Sequence, residues 1–175
     1  AERPALERVE DVPSAPRRAA GPSLVLGGTG AIGAACVSWL RNRSMTPVHV
    51  VARSPRVGGA ADVVYHALDL EEPGSLRALL GSFDDASMPR TIIHAAGAAV
   101  RDATTQVDRE GWPLAQRVHI DSLQRIAEGV SDTTQVLYFG SVASVWGGDQ
   151  LASYGAAKAA GQAIVQRERA KGRPW

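Results

Sequence analysis

The 175-residue chain has little of several features that would assign it to a class at once. It contains one cysteine, Cys36, which excludes an internal disulfide and is typical of a reducing compartment. Its net charge of +1 gives no argument for binding to nucleic acid or to a membrane surface. It has no apolar run of about eighteen residues and no signal-like N-terminus, so neither a transmembrane helix nor a secretory leader is predicted. These absences together predict a cytoplasmic protein.

The chain divides into a proline-rich start and one domain. Residues 1–22 carry four prolines among Arg, Glu and Ala, which predicts a linker joined to, or docked against, a neighbouring domain. Residues 23–175 have the size of a single domain with its own core. Apolar runs and amphipathic segments alternate along them, which predicts a Rossmann-like, doubly wound parallel α/β sheet.

A glycine-rich turn follows the first predicted strand, Leu24–Leu26. Gly27, Gly30 and Gly33 are spaced three apart, and apolar residues then recur at helical spacing. A strand, a glycine loop and a helix in this order predict a dinucleotide-binding turn, with the pyrophosphate at the helix N-terminus. The expected cofactor contacts of the turn are Gly27, Thr29, Gly30, Ile32 and Gly33. The apolar helix positions are Ile32, Cys36, Trp39 and Leu40, with Cys36 assigned to the core.

The ends of the next two predicted strands bear on the choice of cofactor. The second strand, Val48–Ala52, is followed by Arg53 and Ser54, where an NAD-binding protein typically has an acid. A cation suits a 2′-phosphate, so NADP is favoured over NAD, although surface arginines in a turn are the simpler alternative. The third strand ends at Asp69 and Leu70. Asp69 either accepts from the adenine amino group or caps the next helix.

A fourth strand is centred on Ile92 and Ile93, and the small residues Ala95, Ala96 and Gly97 leave room for a cofactor to pass over the backbone. His94 is assigned to structure, because no second ligand lies at useful spacing, and no metal site is predicted.

Residues 98–116 predict an irregular loop with a short helix. The helix that follows has four residues on one face: His119, Leu123, Ile126 and Val130. His119 is therefore expected to face inward, either as a core residue or as part of a proton relay.

The stretch from Gly140 to Lys158 carries the predicted chemistry. Ser141 follows a fifth strand and lies thirteen residues before Tyr154, while Lys158 lies one helical turn after that tyrosine. A lysine cation favours the ionised phenol, which makes the tyrosine a usable proton donor near neutral pH. The Ser141 hydroxyl is placed to hold a carbonyl oxygen where negative charge develops.

Several phrases of the sequence resemble a known family. LVLGGTGAIG, HAAG, SVASVWGGDQLASY and QRERAKGRP, with the Pro/Arg-rich start, are similar to a short-chain dehydrogenase/reductase. More narrowly, they resemble the catalytic subdomain of a modular polyketide synthase ketoreductase. This resemblance implies hydride transfer from NADPH to the β-keto carbon of an acyl chain held on an acyl carrier protein, among neighbouring synthase domains. It also implies Tyr154 as proton donor and Ser141 as carbonyl-orienting residue.

Two positions depart from the ketoreductase pattern. Such domains usually have Asn four residues after the tyrosine and Lys at the position of His119. Lys158 restores the arrangement of the wider superfamily, in which the helix position normally holds Asn. Both departures fall on the residues of the proton relay, His119 and Lys158.

The resemblance also implies a stereochemical outcome. The loop after HAAG reads AAVRDA, so only Asp102 remains of a Leu-Asp-Asp signature, and Trp146 lies eight residues before Tyr154. Both features are typical of A-type ketoreductases, which give the L-configured 3-hydroxyl. A tryptophan that packs under the loop is the alternative.

Two other functions stay open at this point. One is an extended short-chain dehydrogenase of the nucleotide-sugar epimerase or dehydratase type, and the other is a non-catalytic reductase-like domain of a megasynthase. The ketoreductase family continues into further strands and a substrate-covering helix, which this chain is expected to lack, together with an upstream structural subdomain.

Overall fold

A computed structural model describes residues 21–54, 60–97, 101–102, 111–146 and 150–175. Five strands form one sheet in the order β3-β2-β1-β4-β5, and every neighbouring pair is parallel. The strands are β1 (Ser23–Leu26), β2 (Val48–Ala52), β3 (Val63–Ala67), β4 (Thr91–His94) and β5 (Gln135–Tyr138). The helices are α1 (Ala31–Arg41), α2 (Ser75–Gly81), α3 (Gly111–Gln116), α4 (Ser122–Gly129), α5 (Ala143–Trp146) and α6 (Ala152–Ala170). A π-helical turn, Arg117–Asp121, joins α3 to α4. This arrangement confirms the predicted Rossmann-like fold.

The strand order reverses direction at β1. Strand β1 pairs with β2 on one side and with β4 on the other, so successive crossovers move outward from it in opposite directions. The carboxyl ends of strands at such a switch point leave a crevice, which is where open α/β sheets bind ligands.

The core lies on both faces of the sheet. Alternate strand residues point to opposite faces. On one face, Leu24, Leu26 and Ile92 pack against apolar residues of α2, α4 and α6. On the other face, Val25 and Ile93 pack against Val37 and Leu40 of α1. Strands β1, β2 and β4 are buried along their whole length, as central parallel strands are.

Two details of the predicted elements were wrong. Strand β3 ends at Ala67, not at Leu70, because its partner β2 ends at Ala52 and offers no further backbone to pair with. On α1 the buried positions are Gly33, Val37 and Leu40. Ile32 and Trp39 are 53% and 46% exposed. Cys36 is only partly buried against the core on the face of the sheet that α1 covers, which we call the α1-side core.

The inward face predicted for the helix around His119 is confirmed. His119, Leu123, Ile126 and Val130 are all buried. Most of the predicted linker and of the 98–116 loop lies outside the described residues. Among the described residues, none of the helices has the length and apolar character needed to cross a membrane.

Candidate active site

The turn between β1 and α1 consists of glycines because neighbouring backbone leaves no space for side chains. Gly27 has a φ of 77°, in the left-handed region, and a Cβ on it would lie 2.6 Å from the Cα of Ala96. A Cβ on Gly33 would collide with the carbonyl oxygen of Gly27. Gly30, which has no side chain to act as a cap, directly precedes α1. The first N–H groups of this helix therefore suit an anionic ligand, which the helix dipole also favours.

A cleft of about 610 Å³ opens over this turn, at the carboxyl ends of the strands. Its volume lies in the range typical of small-molecule sites. Most of the predicted cofactor residues line it: Gly27, Thr29, Gly30, Arg53, Ser54, Asp69, Leu70, Ala95, Ala96 and Gly97. Gly33 lies beneath the turn, and the exposed Ile32 stands outside the lining. A second cleft of about 670 Å³ lies at the amino ends of β4 and β5, away from the predicted chemistry.

The polar residues of this cleft differ in how firmly they are held. Arg53 and Ser54 are exposed and follow β2 directly. The carboxylate of Asp69 accepts a hydrogen bond from the N–H of Glu71 at 3.0 Å, and its carbonyl accepts from the hydroxyl of Ser75 at 2.8 Å. Asp69 thus closes the turn that leads to α2, and it still lines the cleft. Both roles left open by the sequence are compatible with this position.

Tyr154 and Lys158 stand one turn apart in the first half of α6. The ammonium nitrogen of Lys158 lies 5.7 Å from the ring centroid of Tyr154 and donates a 2.8 Å hydrogen bond to the carbonyl oxygen of Phe139. The lysine side chain is almost completely buried, at 3% exposure. Burial disfavours its charged form and lowers the pKa of Lys158 to about 8. Its charge therefore changes close to physiological pH.

A second tyrosine, which sequence reasoning missed, also contacts Lys158. Tyr138 is the last residue of β5, and its ring centroid lies 4.6 Å from the ammonium nitrogen of Lys158, as in a cation–π contact. Burial raises the pKa of the Tyr138 phenol, and the nearby Tyr154 contributes in the same direction. A Cβ on Gly161 would lie 2.5 Å from the Tyr138 hydroxyl, so a glycine is required beneath this ring. Tyr138 therefore stays protonated and acts as a wall of the lysine site.

Ser141 follows β5 and opens the turn into α5. Its hydroxyl oxygen accepts from the N–H of Ala143 at 3.2 Å, and its carbonyl accepts from the hydroxyl of Ser144 at 2.6 Å. A Cβ on Gly155 would lie 2.5 Å from the carbonyl oxygen of Ala143. The residue after Tyr154 is thus a glycine because the backbone beside Ser141 packs directly on it. This close approach brings the segments of Ser141 and Tyr154 together.

His119 lies on the π-helical turn and points into the interior. It is fully buried, and its ring meets that of Tyr154 edge-on, with 5.6 Å between the centroids. Turns of this kind are often found at functional sites. The sequence prediction that His119 faces the reactive residues agrees with this position, although periodicity alone could not indicate the π geometry.

His94 joins β4 to the π-helical turn. The hydroxyl of Ser122 donates to the carbonyl of Val118 at 2.6 Å, which leaves its oxygen to accept from His94 Nε2 at 2.7 Å. Burial, with the charge of Lys158 as a further cause, lowers the pKa of His94 to about 4. A permanently neutral, hydrogen-bonded histidine agrees with the structural assignment. Within the described residues, no cluster of three or more His, Cys, Asp or Glu could hold a metal ion.

Trp146 ends α5 and is the most exposed large apolar side chain among the described residues, at 83%. Val142, which directly precedes this short helix, and Val145 within it are 72% and 77% exposed. An apolar face therefore extends outward from Ser141. The segment 147–149 that follows Trp146 lies outside the described residues.

Comparison with known proteins gives the family context of this geometry. The family model for the KR domain matches residues 21–175. The chain is 28% identical over 167 residues to the pikromycin polyketide synthase component PikAIII of Streptomyces venezuelae, which covers 87% of this chain and 11% of that protein. It is 30% identical over 170 residues to the erythronolide synthase EryA3 of Saccharopolyspora erythraea, covering 89% of this chain and 5% of that protein. The chain thus spans about a tenth or less of these relatives.

Solved structures share the fold. An A-type ketoreductase structure from a modular polyketide synthase superimposes with a TM-score of 0.74 at 24% identity, covering 88% of this chain and 36% of that one. A 3-oxoacyl (acyl-carrier-protein) reductase from Agrobacterium tumefaciens C58, solved with NADP bound, gives a TM-score of 0.76 at 18% identity, over 87% of this chain and 66% of that one.

Proposed function

The chain belongs to the KR domain family and is an oxidoreductase of that family, and from this premise we propose that it reduces a β-ketoacyl thioester, held on an acyl carrier protein, to the 3-hydroxyacyl product. The proposed reductant is NADPH, and the proposed partners are the carrier protein and neighbouring synthase domains. The observation that carries the proposal is the meeting of Tyr154, Lys158 and His119. The match to the KR model favours ketoreduction over the epimerase-type alternative.

The cleft fits a dinucleotide in its chemistry. Glycines line the turn where a Cβ would collide with backbone, and the helix start that follows suits a pyrophosphate. We assign Gly27, Thr29 and Gly30 to this group, supported from below by Gly33. Arg53 and Ser54 would hold a 2′-phosphate, Asp69 and Leu70 the adenine, and Ala95, Ala96 and Gly97 the middle of the cofactor. Ile32, Tyr154 and Lys158 lie outside the cleft lining, and Tyr154 and Lys158 would contact the nicotinamide end from α6. When bound, NADPH would supply the hydride.

The protein side of the reaction is a proton transfer. The Tyr154 hydroxyl donates its proton to the ketone oxygen as the carbonyl carbon is reduced, so that a C–OH group replaces the carbonyl. The Ser141 hydroxyl donates a hydrogen bond to the same oxygen and stabilises the charge that develops on it. The Lys158 cation stabilises the tyrosinate left after transfer. His119, against the ring of Tyr154, is proposed to help return the proton.

The exposed apolar face of α5 supports a role in substrate orientation. Trp146 lies eight residues before Tyr154 and projects outward from the end of α5, the short helix that follows Ser141. We propose that its indole biases how the acyl arm enters, and that the product carries the L-configured 3-hydroxyl.

One experiment separates the catalytic proposal from the non-catalytic alternative. Purified protein is titrated with NADPH and then given a β-ketoacyl thioester, free or loaded on a carrier protein, while loss of NADPH absorbance is recorded. Binding with turnover, faster for the carrier-bound substrate, is expected. Binding without turnover of either substrate would favour a non-catalytic domain, and the absence of binding would contradict the cofactor assignment.

A further inference from the structure

Asp102 makes two hydrogen bonds to the segment that begins the catalytic helix. Its carboxylate oxygen Oδ2 accepts from the N–H of Ser153 at 2.8 Å, and its own N–H donates to the carbonyl oxygen of Gln150 at 2.9 Å. Asp102 is 2% exposed, and Ser153 is fully buried. The two bonds connect the loop after β4 with Gln150 and Ser153, the residues that flank Leu151 and Ala152 at the start of α6.

The start of α6 needs such a partner. Leu151, the residue at the cap position, makes no side-chain hydrogen bond to the helix, and the first turn contains no acidic residue. Helix starts leave N–H groups unsatisfied, and a carboxylate there both accepts a hydrogen bond and complements the helix dipole. Asp102 supplies from a distant loop what the local sequence of α6 does not.

The backbone before the helix is also held in an uncommon conformation. Gln150 has a φ of 62°, in the left-handed region that non-glycine residues seldom adopt. Its carbonyl is the acceptor for the Asp102 N–H. The hydrogen bond from Asp102 therefore holds a residue of uncommon backbone conformation, four residues before Tyr154.

We infer that Asp102 is the positioning residue of Tyr154: it fixes the first turn of α6 and thereby the place of the phenol relative to Ser141 and Lys158. This inference rests on the proposed function. Asp102 acts through the backbone of Ser153, the neighbour of Tyr154 in the chain, so its loss moves the proton donor rather than removing a reacting group. A displacement of about 1 Å can reduce a rate on the order of 10²-fold.

The test compares Asp102→Ala with Asp102→Asn, whose amide oxygen can still accept from Ser153. We expect Asp102→Ala to lower kcat on the order of 10²-fold, with the substrate KM and the NADPH Kd changed less than about threefold, and Asp102→Asn to restore most of the rate. Asp84→Ala is the matched control, because Asp84 also accepts from a backbone N–H, that of Ser87 at 2.7 Å, but lies in an exposed loop outside the cleft. It is expected to leave kcat unchanged.

Amide hydrogen exchange supplies a measurement that does not depend on turnover. In Asp102→Ala the amides at the start of α6 should exchange roughly fivefold faster, as the loss of a helix cap typically produces, while Asp102→Asn stays close to the parent. Unchanged exchange and unchanged kcat in Asp102→Ala would overturn the inference, as would equal loss of kcat in both variants. If the parent protein reduces no β-ketoacyl thioester, the proposed function fails, and the exchange measurement alone still decides whether Asp102 holds this turn.

Discussion

The ammonium group of Lys158 donates a 2.8 Å hydrogen bond to the main-chain carbonyl of Phe139, which directly follows β5 and lies two residues before Ser141. The same ammonium group faces the rings of Tyr138 and Tyr154. One buried cation thus connects the strand that delivers Ser141 with the helix that carries Tyr154. Its charge state should therefore control the site.

Turnover is expected to fall as the pH rises through about 8, because burial lowers the pKa of Lys158 to about 8 and the cation is lost above it. Lys158→Met should reduce kcat and remove this inflection. The measurement is kcat against pH, with NADPH affinity recorded over the same range. Lys171→Met is the matched control, since Lys171 is the other lysine of the chain and pairs with Glu168 at the far end of α6. A parental profile that stays flat across pH 8 would contradict the prediction.

The same pKa shift has a definite sign for stability. The folded value of about 8 lies below the ordinary 10.5, so the unfolded chain binds more protons between these two values. The contribution of Lys158 to the free energy of unfolding is accordingly least favourable below pH 8 and rises between about 8 and 10.5. Lys158→Met should flatten that rise.

Tyr154→Phe tests the proton donor directly. The change keeps the ring that packs against His119 and removes only the hydroxyl. Turnover should fall by ~10²–10⁴-fold, with thermal stability and NADPH affinity nearly unchanged. Tyr65→Phe is the control, because Tyr65 lies on β3 against the α1-side core, away from the site. Near-parental turnover of Tyr154→Phe would show that another group donates the proton.

The parts of the site that the sequence predicted are those set by local geometry. The glycine spacing indicated the turn because Gly33 meets the backbone of Gly27 and Gly28, a few residues before it in the chain. The four-residue spacing of Tyr154 and Lys158 indicated a shared helix face for the same reason. Strand β3 was predicted too long because it ends where its partner β2 ends. The residues of β3 alone give no information about the length of β2.

The missed contacts all join elements that are distant in sequence. The bond from Asp102 to Ser153 spans 51 residues, so no local pattern could reveal it. The contact of Tyr138 with Lys158 depends on how β5 packs against α6. Ile32 and Trp39 fit the helical period but lie beside the buried stripe of Gly33, Val37 and Leu40, because the period fixes the spacing and not the width of a buried face.

Arg53→Asp tests the cofactor preference. Arg53 is exposed directly after β2 and lines the cleft, where its guanidinium could pair with a 2′-phosphate. The variant should weaken NADPH binding by about 10–10²-fold, while NADH binding changes little. Isothermal titration with both cofactors measures this, and Arg43→Asp, which removes an arginine stacked on Trp39, is the control. Equal losses for both cofactors, or none for either, would exclude the assignment.

The stereochemical prediction concerns Trp146. Its side chain is 83% exposed and is therefore not packed under a loop within the described residues, which leaves the indole available to a substrate arm. An indole beside the groove can favour one direction of entry and so present one face of the ketone to the hydride. The parent protein is expected to give mostly the L-3-hydroxy product from a β-ketoacyl thioester, as chiral chromatography would measure.

Trp146→Ala should lower the ratio of L to D product while leaving NADPH binding intact, because the change removes an orienting surface and no reacting group. Trp39→Ala is the matched control: Trp39 is also exposed, at 46%, but lies on α1 against Arg43. Its product ratio should equal that of the parent. Mostly D product from the parent would contradict the A-type assignment itself, whereas an unchanged ratio in Trp146→Ala would leave the L product in place and show that groups other than this indole select the face.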